Sequence, residues 1–312
     1  MSKRILITGA LGHIGSKLIH SINFDEFEEV RIIDNLSTQR YASLFNLPKS
    51  IKFRFVEDDI LEADMTALIK NMDVVIHLAA ITDAPASFGR REEVEQVNYV
   101  GTKLVAEACI ETGARLLFPS TTSVYGVQSG VVDETCPFQN LKPQSPYAEY
   151  KLKSEQMLQE MGKKQGLNFV ISRLGTIFGT SIGMRFHTAV NKFCWQASMG
   201  QSLTVWKTAM DQKRPYLGVD DAVKYIKFII DMDIFDGEIY NVVTSNNTVK
   251  DIVDYLKEII PTVKVELVES KIMNQFSYNV NSDKIRSKGF DTNNKLGNGI
   301  SETLTILKMT TS

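Results

Sequence analysis

Cysteine and histidine are both scarce in this chain of 312 residues. The three cysteines, Cys109, Cys136 and Cys194, are too few and too scattered for a disulfide framework or a CxxC metal knuckle, and a reducing compartment fits best. The four histidines, His13, His20, His77 and His187, include no HExxH or comparable pair. A metal centre has little to form from, so the chemistry is expected to rest on an organic cofactor. Long hydrophobic runs are missing too. No apolar stretch reaches the roughly eighteen residues of a membrane span, and the first strand-like run starts at Arg4; the expectation is a cytoplasmic protein with no export signal and no anchor. Neither sign of charge dominates: 35 Lys and Arg stand against 37 Asp and Glu, for a net charge of −2. That excludes a general attraction to nucleic acid or anionic lipid and leaves small molecules or other protein chains as partners. Apolar residues, at 43%, are plentiful enough for one large domain and a smaller lobe.

The N-terminal segment is the most informative. Arg4-Ile5-Leu6-Ile7 reads as a short buried strand, Thr8-Gly9-Ala10-Leu11-Gly12-His13-Ile14-Gly15 as a glycine-rich turn, and Ser16-Lys17-Leu18-Ile19 as the start of a helix. In such a turn Gly9 permits the tight bend, Gly12 lets the backbone approach a pyrophosphate, and Gly15 lets the helix pack on the strand. The helix N-terminus meanwhile offers free N–H groups to the anion. A second apolar strand, Val30-Arg31-Ile32-Ile33, ends in Asp34, nineteen positions beyond Gly15. An acid there accepts hydrogen bonds from an adenosine ribose and repels a 2′-phosphate, which favours NAD over NADP.

Strand-like runs recur at Ile5–Ile7, Val30–Ile33, Ile51–Val56, Val74–Leu78, Arg115–Phe118 and Phe169–Ile171, with helical or loop segments between them. This alternation predicts an α/β fold built on a Rossmann-type doubly wound parallel sheet. Long helices are expected over Glu92–Thr112, with an apolar stripe of Val94, Val97, Leu104, Val105 and Ala108, and over Pro146–Gln165, with Leu152, Met157, Leu158 and Met161. Beyond Arg173 the alternation becomes irregular. A helix is expected at Thr188–Met199, another at Asp220–Ile230 and a strand at Gly237–Val243. The resulting division gives residues 1–173 to an NAD-binding domain that the chain rejoins at about 217–243. Residues 174–216 and 244–312 then form a mixed α/β substrate lobe, in which Ser181–Arg214 reads as a lid rich in cations and aromatics.

Tyr147-Ala148-Glu149-Tyr150-Lys151 places a phenol and an ammonium one helical turn apart on one face. A lysine cation beside a tyrosine lowers the phenol's pKa and makes it a usable base towards an alcohol. Upstream, Phe118-Pro119-Ser120-Thr121-Thr122-Ser123-Val124-Tyr125-Gly126 leaves a buried strand in a burst of hydroxyls. They stand at the rim where open α/β sheets bind ligands.

These motifs together resemble the extended short-chain dehydrogenase/reductase family, in its nucleotide-sugar epimerase/dehydratase branch, over almost the whole chain. The similar elements are TGALGHIG, IIDNLS, EDDI, VIHLAA, Asn98 with Gly101-Thr102, STTSVYG, SPYAEYK and RPYLGVDDA. The resemblance implies Thr121, Tyr147 and Lys151 as the catalytic set, with Lys151 also holding the nicotinamide ribose. It implies NAD contacts from Gly9, Gly12, His13, Ile14 and Gly15, from Asp34, Asn35 and Ser37 around the adenosine ribose, from Asp59 and Ile60 at the adenine, and from Leu78, Ala79, Ala80 and Thr82 towards the pyrophosphate and nicotinamide. Asn98 and Gly175 complete that set. Thr121, Thr122, Thr176, Arg185 and Arg214 are the implied substrate contacts, and no metal is implied. His13 reads as packed under the pyrophosphate turn. The family's RxxNxxG segment appears as Arg173 to Gly179 with Thr176 in place of the asparagine. No arginine lies between Arg214 and Arg286, where Lys271 is the candidate substitute.

Enzymes of this branch begin alike, with tyrosine-assisted oxidation of a sugar hydroxyl by NAD or the reverse reduction. Relatives that perform 4,6-dehydration carry an Asp-Glu pair after the active-site threonine, whereas this chain has Thr122-Ser123. The expected activity is therefore a nucleotide-sugar 4-epimerase. A net oxidoreductase, either a C4 dehydrogenase or a 4-keto-sugar reductase, uses the same residues and stays open, as does a catalytically silent NAD-binding protein. Relatives are usually homodimers through the two long helices, and the same is expected here.

Overall fold

The computed structural model describes residues 3–21, 27–128, 130–269 and 277–308. Its largest sheet contains β1 (Lys3–Thr8), β2 (Phe27–Asp34), β3 (Phe53–Glu57), β4 (Val74–His77), β5 (Arg115–Thr121), β7 (Phe169–Leu174) and β11 (Ile239–Val242). All are parallel, in the order β3-β2-β1-β4-β5-β7-β11. The other strands, numbered in the same chain order, form three small sheets. These pair β6 (Val131–Val132) with β14 (Asn279–Val280), β8 (Thr176–Phe178) and β12 (Ser245–Thr248) with β10 (Lys213–Gly218), and β9 (Leu203–Trp206) with β13 (Val265–Val268).

The apolar runs of the central strands follow from burial on both faces. Ile5, Ile7, Val74, Ile76 and Leu117 point into one core, while Leu6, Val75, Leu116 and Phe118 point into the other. A strand covered on both sides needs an apolar residue at every position rather than every second one. β3 is the edge strand and is only half-buried, so its apolar signal is blurred: the run read as Ile51–Val56 forms a strand at Phe53–Glu57. The helix Val219–Asp231 packs into the first core through Val223, Tyr225, Ile226 and Ile230. Ile285 and Phe290, far along the chain, join that core as well. A separate core unites Phe178, Phe193, Leu203, Tyr216, Ile252 and Leu256.

The helix Pro146–Gln165 has legible ends. Ser145 caps it by accepting a hydrogen bond from Ala148 N at 3.3 Å, Pro146 occupies the first turn, and Gly166 leaves it at φ 74°. The span expected at Glu92–Thr112 is helical but not uniformly α. Between the α-helical segments Arg91–Glu95 and Gly101–Thr112 lies a π turn, Gln96–Val100. That wide turn presents Asn98, whose amide accepts from Ile81 N and donates to Ile81 O, both at 2.8 Å. π turns are tolerated where they serve such a purpose.

The underside of the helix Pro146–Gln165 is fixed by charge. Arg173 on β7 and Glu155 on the helix form an ion pair of 2.7 Å with side chains only 3% and 2% exposed. Ser120 donates to the same carboxylate, and the Arg173 guanidinium lies 4.9 Å from the centre of the Tyr125 ring. Removing one partner strands a buried charge. Arg173→Met is therefore expected to cost about 3–5 kcal/mol in denaturant unfolding, whereas Arg173→Met combined with Glu155→Met is expected to recover much of that loss.

Candidate active site

The sheet reverses its direction of winding between β1 and β4, so a crevice opens beyond their carboxyl ends. Gly9 sits at its floor with φ 64°, and a Cβ there would stand 2.6 Å from Ala79 N and Cα. At Gly15 a Cβ would meet the Ala10 carbonyl oxygen at 2.4 Å, which is how the helix His13–Ser21 comes to rest on the turn. Gly12 is different. A Cβ on it would find only Gly9 O at 3.3 Å and Arg40 Nη1 at 4.0 Å. Its outer side is thus an open shelf of backbone, the form a pyrophosphate requires.

Asp34, at the end of β2, accepts hydrogen bonds from Leu11 N and Leu36 N, both at 3.0 Å. Asn35 donates to Asp59 at 2.7 Å and accepts from Ser37 N, and Asp59 also accepts from Leu61 N. Asp34, Asn35, Ser37 and Asp59 therefore lie together on one wall, with Ile60 buried beneath against Gly101. On the opposite wall, Leu78 N and Ala79 N donate to Thr8 O and Thr8 Oγ1 at 3.0 and 3.1 Å. Ala80 is half-buried there, Ile81 is pinned by Asn98, and Thr82 Oγ1 is buried with no protein partner. An open glycine shelf, an acid at the second strand and an orphaned hydroxyl on the facing wall fit an NAD molecule laid across the crevice. His13 is buried in the turn and neutral: burial pushes its pKa down to about 3, and its Nε2 donates to Gly179 O at 3.0 Å. Ile14 follows it, half-buried against the first core.

Thr121 ends β5. Its hydroxyl accepts from Ser123 N at 3.1 Å and lies close enough to the Tyr147 phenol to favour the phenolate. Tyr147 itself is anchored through its backbone N, which donates to Ser87 Oγ at 3.4 Å. Burial raises the phenol's pKa, while Thr121 and Arg185 pull it down. The Lys151 ammonium is buried, donates to the Pro119 carbonyl at 2.8 Å and stands 4.4 Å from the centre of the Phe118 ring. Desolvation brings its pKa down to about 7, against the opposing pull of Glu155.

The implied substrate residues fall into three places. Thr122 is buried and its hydroxyl donates to Leu174 O at 3.3 Å. Gly175 and Thr176 lie where β7 passes into β8. A Cβ on Gly175 would meet Tyr216 C at 3.0 Å, so close packing against β10 explains the glycine. Arg214 lies on β10 opposite Asn247 and acts on Tyr216, whose pKa burial raises to about 12. Arg185 lies within electrostatic reach of Tyr147, Arg40 and Asp83. Within segment 181–214, the Phe186 and Trp195 ring centres lie 5.2 Å apart and Lys207 pairs with Glu269 at 2.7 Å. Lys271 lies outside the described residues. Two further residues enter the site without having been singled out in the sequence. Arg40 stands over Gly12, and buried Tyr278 acts on both Tyr147 and Tyr216. The alternation Tyr278, Val280, Ser282 marks an inward face of a strand, but Arg40 leaves no trace in any periodicity.

Comparison with known proteins agrees with this geometry. The uncharacterized UDP-glucose epimerase YtcB of Bacillus subtilis is 31% identical over 248 residues, covering 77% of this chain and 76% of the relative. A dTDP-D-glucose 4,6-dehydratase of Mus musculus is 28% identical over 322 residues, 97% of this chain and 88% of that protein. The crystal structure of UDP-glucuronic acid 4-epimerase from Bacillus cereus, with UDP-glucuronic acid and NAD, superposes with a TM-score of 0.89 at 25% identity, over 98% of this chain and 99% of that one. With the model of the NAD dependent epimerase/dehydratase family matching residues 5–242, the chain belongs to that family.

Proposed function

We propose that this protein is an NAD-dependent nucleotide-sugar 4-epimerase. The observation that carries the reading is the placement of Thr121 beside the Tyr147 phenol at the carboxyl end of β5, followed by hydroxyls where a dehydration apparatus needs carboxyl groups. NAD, when bound, supplies the acceptor for the hydride of the sugar carbon and then its donor. Tyr147 Oη takes the proton of the C4 hydroxyl and returns it. Thr121 orients both the phenol and that hydroxyl. Thr122 cannot act as an acid, since its hydroxyl already donates to Leu174 O. Gly9, Gly12 to Gly15, Asp34, Asn35, Ser37, Asp59, Ile60 and Leu78 to Thr82 hold the cofactor in this reading, and Asn98 fixes the loop that carries the last of them. Thr176 and Arg214 face the nucleotide sugar, and a lobe formed by 174–216 and 244–312 closes on it. The reading extends to a cytoplasmic homodimer that docks through the helical spans 91–112 and 146–165. Those spans lie side by side, joined by Arg91–Glu149 and by Tyr150 donating to Glu95 at 2.8 Å.

Three measurements follow from the site. Tyr147→Phe is expected to lower kcat by roughly 10²–10⁴-fold with little effect on NAD binding, measured on a panel of UDP-, GDP-, TDP- and CDP-sugars by product configuration. Inverted C4 with no net NADH supports the epimerase, and net NADH change moves the assignment to an oxidoreductase.

Gly12→Val is expected to abolish NAD binding while far-ultraviolet circular dichroism stays native, because its side chain would occupy the open shelf. Gly9→Val, facing Ala79 backbone, is expected to lower the melting temperature sharply.

Lys151 gives a pH signature. Its folded pKa lies below that of the unfolded chain, so between about 7 and the ordinary lysine value the unfolded state binds more protons and stability rises with pH. Urea titrations of the cofactor-free protein should show that rise, and Lys151→Met should flatten it.

A further inference from the structure

The glycine turn carries a collar from beyond β8. Segment 179–187 crosses directly over it, fastened at two points: His13 Nε2 donates to Gly179 O at 3.0 Å, and Gly183 N donates to Ser16 Oγ at 2.9 Å. The approach is close enough that a Cβ on Gly183 would stand 2.3 Å from Leu11 O. Asn191 locks the segment from the other side, accepting from Gly179 N at 3.1 Å and donating to Arg185 O at 3.0 Å. The backbone around Arg185 is therefore held against the cofactor turn.

The guanidinium it carries has an unusual environment. Arg185 acts on His13, His187 and Tyr147, while Arg40 and Asp83 act on it. Arg40 stands 4.0 Å from the position of a Gly12 Cβ and is itself under the influence of Asp34. Burial disfavours the charge on both arginines. Among the described residues Arg185 has no ion pair, and its Nε is buried without a partner. Two desolvated guanidinium groups within electrostatic reach of each other are unfavourable unless anions compensate them; Asp83 and Asp34 do so in part, and a bound anion would complete it.

We propose that Arg185 and Arg40 form a clamp for a phosphoryl or carboxylate oxyanion between the glycine turn and Tyr147, with His13 and Ser16 as its positioning residues. The inference rests on the NAD and nucleotide-sugar reading above. The oxyanion is either the cofactor's pyrophosphate or an acidic group on the sugar. The place of Arg40 over Gly12 favours the pyrophosphate.

The test uses nucleotide-stripped wild-type protein, Arg185→Met, Arg185→Lys, Arg40→Met and His13→Phe. Each is titrated with NADH by fluorescence and, separately, with UDP-glucose and UDP-glucuronic acid by calorimetry, after thermal melts establish which variants fold. Arg185→Met and Arg40→Met are expected to weaken NADH binding by roughly ten- to a hundred-fold. Arg185→Lys should restore part of that affinity, and His13→Phe should lose affinity although it touches no anion. A loss confined to UDP-glucuronic acid would assign the clamp to a sugar carboxylate. Wild-type affinity for NADH and both sugar nucleotides in folded Arg185→Met and Arg40→Met would overturn the proposal. Wild-type protein that binds no NADH would overturn the functional reading instead.

Discussion

The contact on which this molecule turns is between two stretches of backbone, Gly9 at the end of β1 and Ala79 just beyond β4. β1 and β4 are the strands between which the sheet changes its winding direction. Their exits must diverge to make a crevice, yet stay close enough for both walls to touch one ligand. A side chain at Gly9 would push those walls apart. With none there, Asp34 on one wall and the Leu78–Thr82 loop on the other stand at the two sides of a single groove. The Thr121–Tyr147 pair lies further along the same sheet edge.

Beneath Thr121 and Tyr147 the protein is held by buried charge rather than by apolar packing alone. Glu155, Arg173 and Ser120 tie the helix of Tyr147 to β5 and β7, and Lys151 is drawn down onto the Pro119 carbonyl. Polar networks of this kind are geometrically exacting, because a small displacement leaves a charge unsatisfied. A helix fixed in this way cannot slide or rotate without breaking them, which suits a phenol that must meet one hydroxyl and one hydride acceptor at once.

Much of the fold was legible in the sequence, for physical reasons that also mark where legibility ends. Two-sided burial makes β1, β4 and β5 continuous apolar runs, and Ser145, Pro146 and Gly166 announce the limits of their helix. The glycine turn, Asp34 and the Tyr147–Lys151 spacing could be read because local geometry demands those residue types at those intervals. The direction of the Lys151 side chain could not, since it is decided by Pro119 and Glu155, which no spacing rule couples to it. Arg40 and Arg185 escape for a similar reason. They lie far apart in the chain and come within electrostatic reach of each other near the glycine turn, where Gly183 permits a close crossing. The joining of Ile285 and Phe290 to the first core is likewise a long-range fact, invisible to periodicity.

The π turn at Gln96–Val100 acts as a phase shifter. An α-helix advances about 100° per residue, so the one extra residue in a π turn rotates everything after it by about that angle. The buried set Val105, Ala106 and Cys109 faces the sheet with that rotation included, while Lys103 and Glu107 face water. Removing a single residue from the turn would restore an ordinary helix and bring the charged face towards the core. The length of this segment is thereby constrained more tightly than its composition, and Asn98 can hold the cofactor loop only while the count stays as it is.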